Sequence, residues 1–212
     1  MREKLQELES IARLCVENDV VAISDEIYQH LVYDKNEHIS IATVDGMRDR
    51  TVIINSLSKT FSVTGWRVGY AIAPPEILPG IQKVHNFTTA AAPSPFQHAG
   101  MALLDFGDEY YDELRGIYNQ KRILLFNALR QAGFHCSLPQ GSYYIMAEIS
   151  DFGVESDIEF NDYLIREIGV AAVPGTAFFN NKELGRNWLR FTFSKDFSTL
   201  EEAARRLKRL KA

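Results

Sequence analysis

The stretch that decides the fold of this chain is Asn55 to Gly65, NSLSKTFSVTG, which runs directly into Trp66-Arg67-Val68-Gly69. It places Lys59 on a serine-rich turn after the apolar run Val52 to Ile54, and Arg67 lies eight residues beyond the lysine. A lysine amine can form a Schiff base with an aldehyde, whereas hydroxyl groups and a guanidinium can bind phosphate oxygens. The pattern therefore predicts a site for a phosphorylated aldehyde.

Composition excludes several classes of protein. The chain has 212 residues, 46% of them hydrophobic and 24% charged, which is ordinary for one large globular domain or two small ones. A net charge of −5 provides no basic field for nucleic acid. No apolar run approaches the roughly 20 residues of a membrane span, and the N-terminus lacks the apolar region of a signal peptide. Cys15 and Cys136 form neither a disulfide framework nor a metal-ligand spacing, so we expect a cytoplasmic protein.

Hydrophobic periodicity predicts a first half in which strands and helices alternate. A helix is expected over residues 3–18, followed by short apolar strands at residues 20–23, 52–54 and 68–73. The first strand is expected to be covered on both faces. The segment from Asp25 to Arg50 is long enough for a crossover connection, although it is poorly helical, and this favours parallel pairing of the first two strands.

The second half is predicted to be a mixture of helices and strands. Helices are expected at residues 75–88, 95–104 and 107–131, and strands at 142–149, 170–173 and 188–193. Two capping boxes, Ser156 with Glu159 and Ser198 with Glu201, mark the starts of two further helices. This order of elements predicts two lobes that are joined within the long helix.

Polar residues follow the first two predicted strands directly. Asp25 ends the first strand, and Ser56, Ser58 and Lys59 follow the second. Ligand groups gather at the carboxyl ends of strands in open α/β sheets, so parallel neighbours would bring both clusters to one crevice.

Each residue then has a role in binding pyridoxal phosphate. Asp25 would keep the pyridine nitrogen protonated, and its charge would need a partner in a largely dry site. Tyr28 could donate to the phenolic oxygen of the ring. Lys59 would bind the aldehyde carbon and later act as the base that moves the proton. Arg67 and the two serines would bind the phosphate.

Taken singly, these residues have commoner explanations. An aspartate at a strand end usually caps a turn, and a lysine usually lies on the surface. Ser56-x-x-Lys59 would also suit a serine hydrolase that uses lysine as its base. The cofactor site is favoured because groups with matching roles lie at the ends of two adjacent strands.

Four stretches of the sequence resemble motifs of the fold-type I pyridoxal-phosphate aminotransferases. They are Val21–Tyr28, Ser56–Phe61, Thr64–Tyr70 and Trp188–Phe191. The resemblance lies with the class I branch, which includes kynurenine, aromatic, methionine and prokaryote-type aspartate aminotransferases, and it covers essentially the whole chain. It implies an α/β fold: a partial, three-layer α/β/α pyridoxal-phosphate-binding large domain over residues 1–125, followed by an α+β small domain over residues 126–212.

The resemblance also implies roles for site residues. It implies that Asp25 contacts the pyridine nitrogen and that Tyr28 contacts the phenolic oxygen. It also implies that Ser56 and Arg67 bind the phosphate, with Ser58 as a further phosphate contact. It implies that Arg190 clamps the substrate α-carboxylate, whose shape a guanidinium fork matches.

Family members are longer, and the resemblance fits their C-terminal part. They carry an upstream Asn-Pro-x-Asn-Pro-Thr-Gly segment, a phosphate-binding turn and an aromatic residue that stacks on the ring, none of which occurs in this sequence. We therefore expect a truncated aminotransferase with unpaired sheet edges and weak or absent cofactor binding by the chain alone. Family members are homodimers, and Lys83–Phe87 resembles a stretch that reaches toward the partner's site.

The leading function is the transfer of an amino group between an amino acid and a 2-oxo acid. A carbon–sulfur lyase or a cyclopropane-carboxylate synthase would use the same scaffold, although Phe61–Arg67 favours an aminotransferase. A third possibility is a catalytically inactive fragment. A ligand-sensing domain of a transcription regulator would need a DNA-binding helix-turn-helix, which is not visible here. The identity of the substrate side chain stays open, with Gly175–Phe178 either lining its pocket or forming a simple turn.

Overall fold

A computed structural model describes the backbone of residues 2–211 and the side chains of residues 5–210. The chain divides into two compact units, Met1–Asp112 and Glu113–Ala212. The division falls within the long helix in which the sequence predicts a junction. The domain boundary at residues 125–126, and the naming of the two domains as large and small, remain predictions.

The first unit contains a small sheet and most of the helices. Its elements are α1 (Arg2–Glu17), β1 (Ala22–Asp25), β2 (Thr51–Ser56), α2 (Leu57–Thr60), β3 (Gly69–Ile72), α3 (Leu78–Thr88), α4 (Ser94–Leu104) and the start of α5 (Asp108–Ala132).

The sheet of the first unit has the order β1-β2-β3. β1 and β2 are parallel, with Ala22 opposite Thr51 and Asp25 opposite Ile54, which confirms the predicted pairing. β3 runs antiparallel to β2, with Gly69 opposite Ser56. The connection between β1 and β2 contains only short 3₁₀ turns, as the poor helical pattern indicated.

One side of this sheet is better covered than the other. Ala12 and Cys15 of α1 are buried against Ile41 and Met47 of the β1–β2 connection. The expectation that the first strand is covered on both faces is wrong, because 75% of Ile23 is exposed. Within the described residues β1 and β3 pair only with β2, so both are edge strands with backbone groups open to another strand.

The second unit is built on an antiparallel sheet. Its elements after α5 are β4 (His135–Cys136), β5 (Tyr144–Glu148), α6 (Asp157–Tyr163), a π-helical turn (Leu164–Ile168), β6 (Val173–Pro174), β7 (Trp188–Thr192) and α7 (Phe197–Leu207). The strand order is β4-β5-β7-β6. Ile145, Leu189, Phe193 and Leu207 are fully buried and form part of the core of this unit.

Two local predictions in the second unit are wrong. Residues 170–172 of the strand expected at 170–173 are not in a strand, and β6 begins only at Val173. The Val170 amide donates instead to the Leu164 carbonyl at 3.0 Å, and the Ala172 amide donates to the Asn161 side chain at 3.0 Å. Ser198 does not cap the last helix, because that helix begins two residues earlier, after Asp196. The Ser156 cap is confirmed, since its Oγ accepts from the Glu159 amide at 3.3 Å.

Among residues 2–211, no helix has both the length and the apolar character that crossing a membrane requires.

Candidate functional site

A cavity of about 590 Å³ lies in the first unit at the carboxyl end of β2. Ser56, Ser58, Lys59 and Arg67 all line it. The remaining lining comes from the end of β2, the start of β3, one face of α3 and Ile27. The structure therefore brings the lysine, the arginine and both serines of the predicted site together.

The turn that carries Lys59 is fixed at both ends. At its start, Ser56 Oγ accepts a hydrogen bond from the Ser58 amide at 3.1 Å, as the side chain of an N-cap residue does. At its end, the Tyr110 hydroxyl donates to the Thr60 carbonyl at 2.7 Å. Lys59 itself is partly buried in this short helix, so the amine is placed by a strand end and a capped turn.

Arg67 reaches the cavity through an unusual backbone conformation. Its φ of 55° and ψ of 39° lie in the left-handed region, which non-glycine residues seldom adopt. Its Nη1 donates to the Thr64 carbonyl at 3.0 Å, and the side chain is exposed. The local turn therefore brings Arg67 to the cavity that Lys59 also lines.

The chemistry of the cavity suits an anion that also carries an electrophilic carbon. Lys59 and Arg67 are both basic residues, and none of the described lining residues carries a carboxyl group. Ser56 and Ser58 add hydroxyl groups that can donate to phosphate oxygens. These residues therefore fit a phosphorylated aldehyde such as pyridoxal phosphate.

Asp25 and Tyr28 are not among the residues that line the cavity. Asp25 lies opposite Ile54 in the sheet, and Ile54 does line the cavity, so the carboxylate is one strand away. Its Oδ1 accepts from the Ile27 amide at 3.2 Å, and the residue is exposed. Asp25 therefore caps the turn after β1 in this structure, and the expected dry environment is not present.

Glu26 is the buried acid of this region, and sequence reasoning missed it. Only 5% of the residue is exposed. Its carboxylate accepts hydrogen bonds from Ser24 Oγ at 3.1 Å, Ser40 Oγ at 2.6 Å and His38 Nε2 at 2.9 Å. Burial acts to raise the pKa of Glu26, but the hydrogen bonds from Ser40, His38 and Ser24 together outweigh it, and the pKa is lowered. Glu26 follows Asp25 directly in the sequence, and it is distinguished mainly by its hydrogen bonds with His38 and Ser40, which lie more than ten residues away.

Other residues also line the cavity, although the sequence motifs predicted no role for them in it. Gln82 and His85 project from α3, and Tyr70 projects from β3. Gly69 allows β3 to approach β2 here, because a Cβ at this position would lie 2.8 Å from the Asn55 carbonyl oxygen. The glycine that follows Arg67 and Val68 is therefore required by packing at the cavity.

Arg190 lies in the second unit, in β7 between Met146 of β5 and Val173 of β6. Its guanidinium carbon is 4.1 Å from the ring centroids of both Tyr144 and Phe178. Its Nε is shielded from solvent and has no hydrogen-bond partner within the described residues. A shielded donor without a partner is uncommon, and it gives Arg190 unused capacity to bind an anion.

The segment that carries Phe178 depends on two glycines. A Cβ on Gly175 would lie 2.6 Å from the Trp188 carbonyl oxygen, and a Cβ on Gly185 would lie 2.6 Å from the Thr176 nitrogen. The backbone of residues 175–178 can therefore lie against the start of β7 only because both side chains are absent. This close approach places Phe178 over Arg190.

Fold and site together define an α/β scaffold with a lysine, an arginine and two serines at one cavity. The model of the family "Aminotransferase class I and II" matches residues 4–207, and the chain belongs to that family. This confirms the resemblance seen in the sequence.

Individual relatives agree with the family assignment. The chain is 36% identical to a kynurenine–oxoglutarate transaminase of Dictyostelium discoideum, over 99% of this chain and 53% of that protein. It is 35% identical to an aspartate aminotransferase of Pyrococcus abyssi, over 98% and 53%. The solved structure of N-succinyldiaminopimelate aminotransferase from Mycobacterium tuberculosis matches with a TM-score of 0.93 at 36% identity, over 97% and 54%. The α/β fold is confirmed, and the chain spans about half the length of the curated relatives it matches.

Proposed function

We propose that this chain carries the lysine-bearing part of a pyridoxal-phosphate-dependent aminotransferase, which moves an amino group between an amino acid and a 2-oxo acid. The observation that carries the proposal is the cavity lined by Lys59, Arg67, Ser56 and Ser58. Family membership supports the reaction class.

The residues of the cavity divide the work between binding and proton transfer. When bound, the cofactor supplies an electron sink for the substrate carbon. Arg67, Ser56 and Ser58 would hold the phosphate through charge-assisted hydrogen bonds. Lys59 would hold the aldehyde carbon and, once released by the incoming amine, would take and return the proton at the substrate Cα.

Two further residues would hold the cofactor ring. Asp25 would keep a proton on the pyridine nitrogen, and Tyr28 would donate to the phenolic oxygen. Asp25 lies at the end of the strand next to the cavity, which supports its assignment. Because Asp25 and Arg67 are both exposed, their interactions with an ionic ligand are screened by water and salt. We therefore expect the chain alone to bind pyridoxal phosphate weakly.

Arg190 would bind the substrate α-carboxylate. Its guanidinium lies against two aromatic rings, and its Nε is a buried donor with unused capacity. Guanidinium groups bind carboxylates bidentately, and packing against aromatic rings reduces the hydration that binding must displace.

The cofactor site can be tested by titrating the purified chain with pyridoxal phosphate and trapping the product with borohydride. We expect peptide mapping to find the pyridoxyl group on Lys59 and to find little label in Lys59→Ala. Label spread over surface lysines without preference for Lys59 would contradict the proposed site. A saturable absorbance change at micromolar cofactor would contradict only the expectation of weak binding.

An elimination enzyme on the same scaffold is the alternative reaction. A lyase or synthase releases its product without an amino acceptor, whereas an aminotransferase needs a 2-oxo acid to complete its cycle. Turnover that requires a 2-oxo acid would support the aminotransferase. Equal product formation in its absence would favour the lyase, and no turnover in either assay would favour an inactive fragment.

We further infer a homodimer in the cytoplasm that serves amino-acid metabolism. Apolar side chains on α3 and α4 are exposed, including Val84 at 62%, Phe87 at 87% and Met101 at 56%. Exposed apolar patches of this kind mark interaction surfaces. Cys15 and Cys136 are free thiols, as in a reducing compartment. Sedimentation at several concentrations tests the dimer, and a monomer throughout would contradict it.

A further inference from the structure

The proposed chemistry leaves one buried charge of the first unit unused. Glu26 is 5% exposed, and its two carboxylate oxygens accept three side-chain hydrogen bonds. Removing a carboxylate from water costs free energy unless such partners replace the solvent. The three hydrogen bonds therefore compensate the buried charge, and they also tie the segments that supply the donors to Glu26.

The donors to Glu26 come from two separate parts of the chain. Ser24 lies in β1, whereas His38 and Ser40 lie near the middle of the β1–β2 connection. The carboxylate therefore joins residues 38–40 to the end of β1. A glutamine at this position would carry no charge, so the hydrogen bonds to Ser24, Ser40 and His38 would lose their charge-assisted character.

The backbone of Glu26 belongs to the turn that carries the proposed ring contacts. Its amide donates to the Ile54 carbonyl at 2.9 Å, and its carbonyl accepts from the Gln29 amide at 2.9 Å. Asp25 precedes it and caps the Ile27 amide at 3.2 Å. Tyr28 follows, with its carbonyl bonded to the Leu31 amide at 2.8 Å. Fixing the Glu26 side chain therefore fixes a turn whose other members are Asp25 and Tyr28.

We propose that Glu26 is a positioning residue, which fastens residues 38–40 to the end of β1 and so holds the turn that presents Asp25 and Tyr28 to the cofactor. The inference rests on the proposed function for the roles of Asp25 and Tyr28. The fastening itself is a property of the unliganded chain, so the two parts can be tested separately.

The fastening is tested with Glu26→Gln, using Thr51→Val as the matched control. Thr51 is 3% exposed and donates from Oγ1 to the Met47 carbonyl at 2.8 Å, at the opposite end of β2. Both substitutions weaken or remove a buried hydrogen bond, but only Glu26→Gln lies in the turn that contains Asp25 and Tyr28. In the unliganded chain we expect amide hydrogen exchange of Ile27 and Gln29 to accelerate about tenfold in Glu26→Gln, the size expected for losing a charge-assisted hydrogen bond.

Three outcomes of the exchange measurement are decisive. Acceleration confined to residues 25–31 and 38–40 supports the positioning role. Exchange at the wild-type rate overturns it. Acceleration spread over the whole first unit also overturns it if Thr51→Val shows the same spread when the two variants are compared at equal stability in urea. If Glu26→Gln does not fold, Ser40→Ala removes the 2.6 Å bond and leaves the carboxylate in place. The same pattern with a smaller amplitude is then expected, and an unchanged turn overturns the proposal.

The cofactor arm uses pyridoxal phosphate as the probe and its absorbance as the readout. Asp25 would hold the ring proton, so a displaced turn should shift the pH midpoint of the absorbance change in Glu26→Gln but not in Thr51→Val. Equal midpoints in wild type and Glu26→Gln would overturn the link to the ring. If the wild-type chain shows no site-specific attachment at Lys59, the proposed function fails, and the exchange data still decide whether Glu26 fastens the turn.

Discussion

Lys59 is placed by interactions of its neighbours on both sides. Ser56 caps the turn that precedes the lysine, and Tyr110 holds the Thr60 carbonyl that follows it. Arg67 reaches the same cavity through a left-handed backbone conformation, which costs roughly 1–2 kcal/mol for a residue with a Cβ. Strain of this kind persists where surrounding structure compensates for it and is frequent at functional sites.

Replacing Lys59 with alanine tests the chemistry at the smallest scale. In the assembled enzyme we expect Lys59→Ala to abolish transamination, because the substrate Cα would lose its base. The fold should remain, as judged by circular dichroism and urea unfolding. Lys35→Ala, at an exposed lysine of the same unit, serves as the control and should keep its activity. Substantial residual transamination by Lys59→Ala would contradict the mechanism.

Gly69 offers a second test at the residue scale. A Cβ there would lie 2.8 Å from the Asn55 carbonyl oxygen and 3.0 Å from Ser56 Cβ, so β2 and β3 would have to separate at the cavity. We expect Gly69→Ala to destabilise the first unit by about 1–3 kcal/mol and to weaken attachment at Lys59. Urea unfolding and borohydride trapping measure the two effects. Gly65→Ala, with nothing within 4 Å of its Cβ, should be close to wild type in both.

At the scale of elements, strong periodicity located the long helices well. The helix expected at residues 107–131 spans Asp108–Ala132, and the one expected at 95–104 spans Ser94–Leu104. Short elements were harder, because tertiary contacts decide them. β4 has only two residues and therefore shows no periodicity. The apolar residues 170–173 predict a strand, but the Ala172 amide donates to the Asn161 side chain and not to a neighbouring strand.

The two capping boxes make a matched pair for measurement. Ser156 accepts from the Glu159 amide, whereas Ser198 lies inside a helix that begins after Asp196. We expect Ser156→Ala to lower the free energy of unfolding by about 1 kcal/mol and Ser198→Ala to change it little. Urea titration of both variants provides the comparison. Equal losses would show that the sequence pattern, and not the observed geometry, sets the helix start.

At the scale of the whole molecule, sequence motifs located the cavity but not its surroundings. Four of the predicted residues line it, because a strand end and the serine-rich turn after it leave local signals in the sequence. Glu26 and Gln82 lie beside or within it through contacts between distant segments, for which a single sequence carries no pattern. His85 belongs to Lys83–Phe87, which the resemblance associates with a partner's site, and in this structure it lines the cavity. The exposure of Ile23 was also missed, since the sequence of a strand does not reveal which of its partners are present.

The pH dependence of unfolding tests the contribution that the buried charge of Glu26 makes to the stability of the first unit. Because the folded-state pKa of Glu26 is lowered, its contribution is present above the ordinary glutamate value of about 4.3 and is lost as pH falls through the folded-state value. Among the described residues, the titratable groups that interact with Glu26 are His38 and Tyr70. We expect the gap in urea midpoint between wild type and Glu26→Gln to be widest above about pH 5 and to narrow below about pH 4.

A surface acid provides the control for this experiment. Hydrogen bonds from Arg205 and Arg206 lower the pKa of Glu202 to about 2, but the group lies in solvent, where such pairs add little stability. Glu202→Gln should therefore leave the urea midpoint almost unchanged at every pH. A gap for Glu26→Gln that stayed constant from neutral to acid would contradict the buried-charge explanation.

Arg67 and Arg190 lie in different surroundings, so the anions that they bind should differ in their sensitivity to salt. Arg67 stands in open solvent, while Arg190 rests against two rings with its Nε out of contact with water. Dissolved ions screen exposed charges over a distance of about 8 Å in physiological saline, and they screen shielded charges much less. Added sodium chloride should therefore loosen a phosphate ester held by Arg67 well before it loosens a carboxylate held by Arg190.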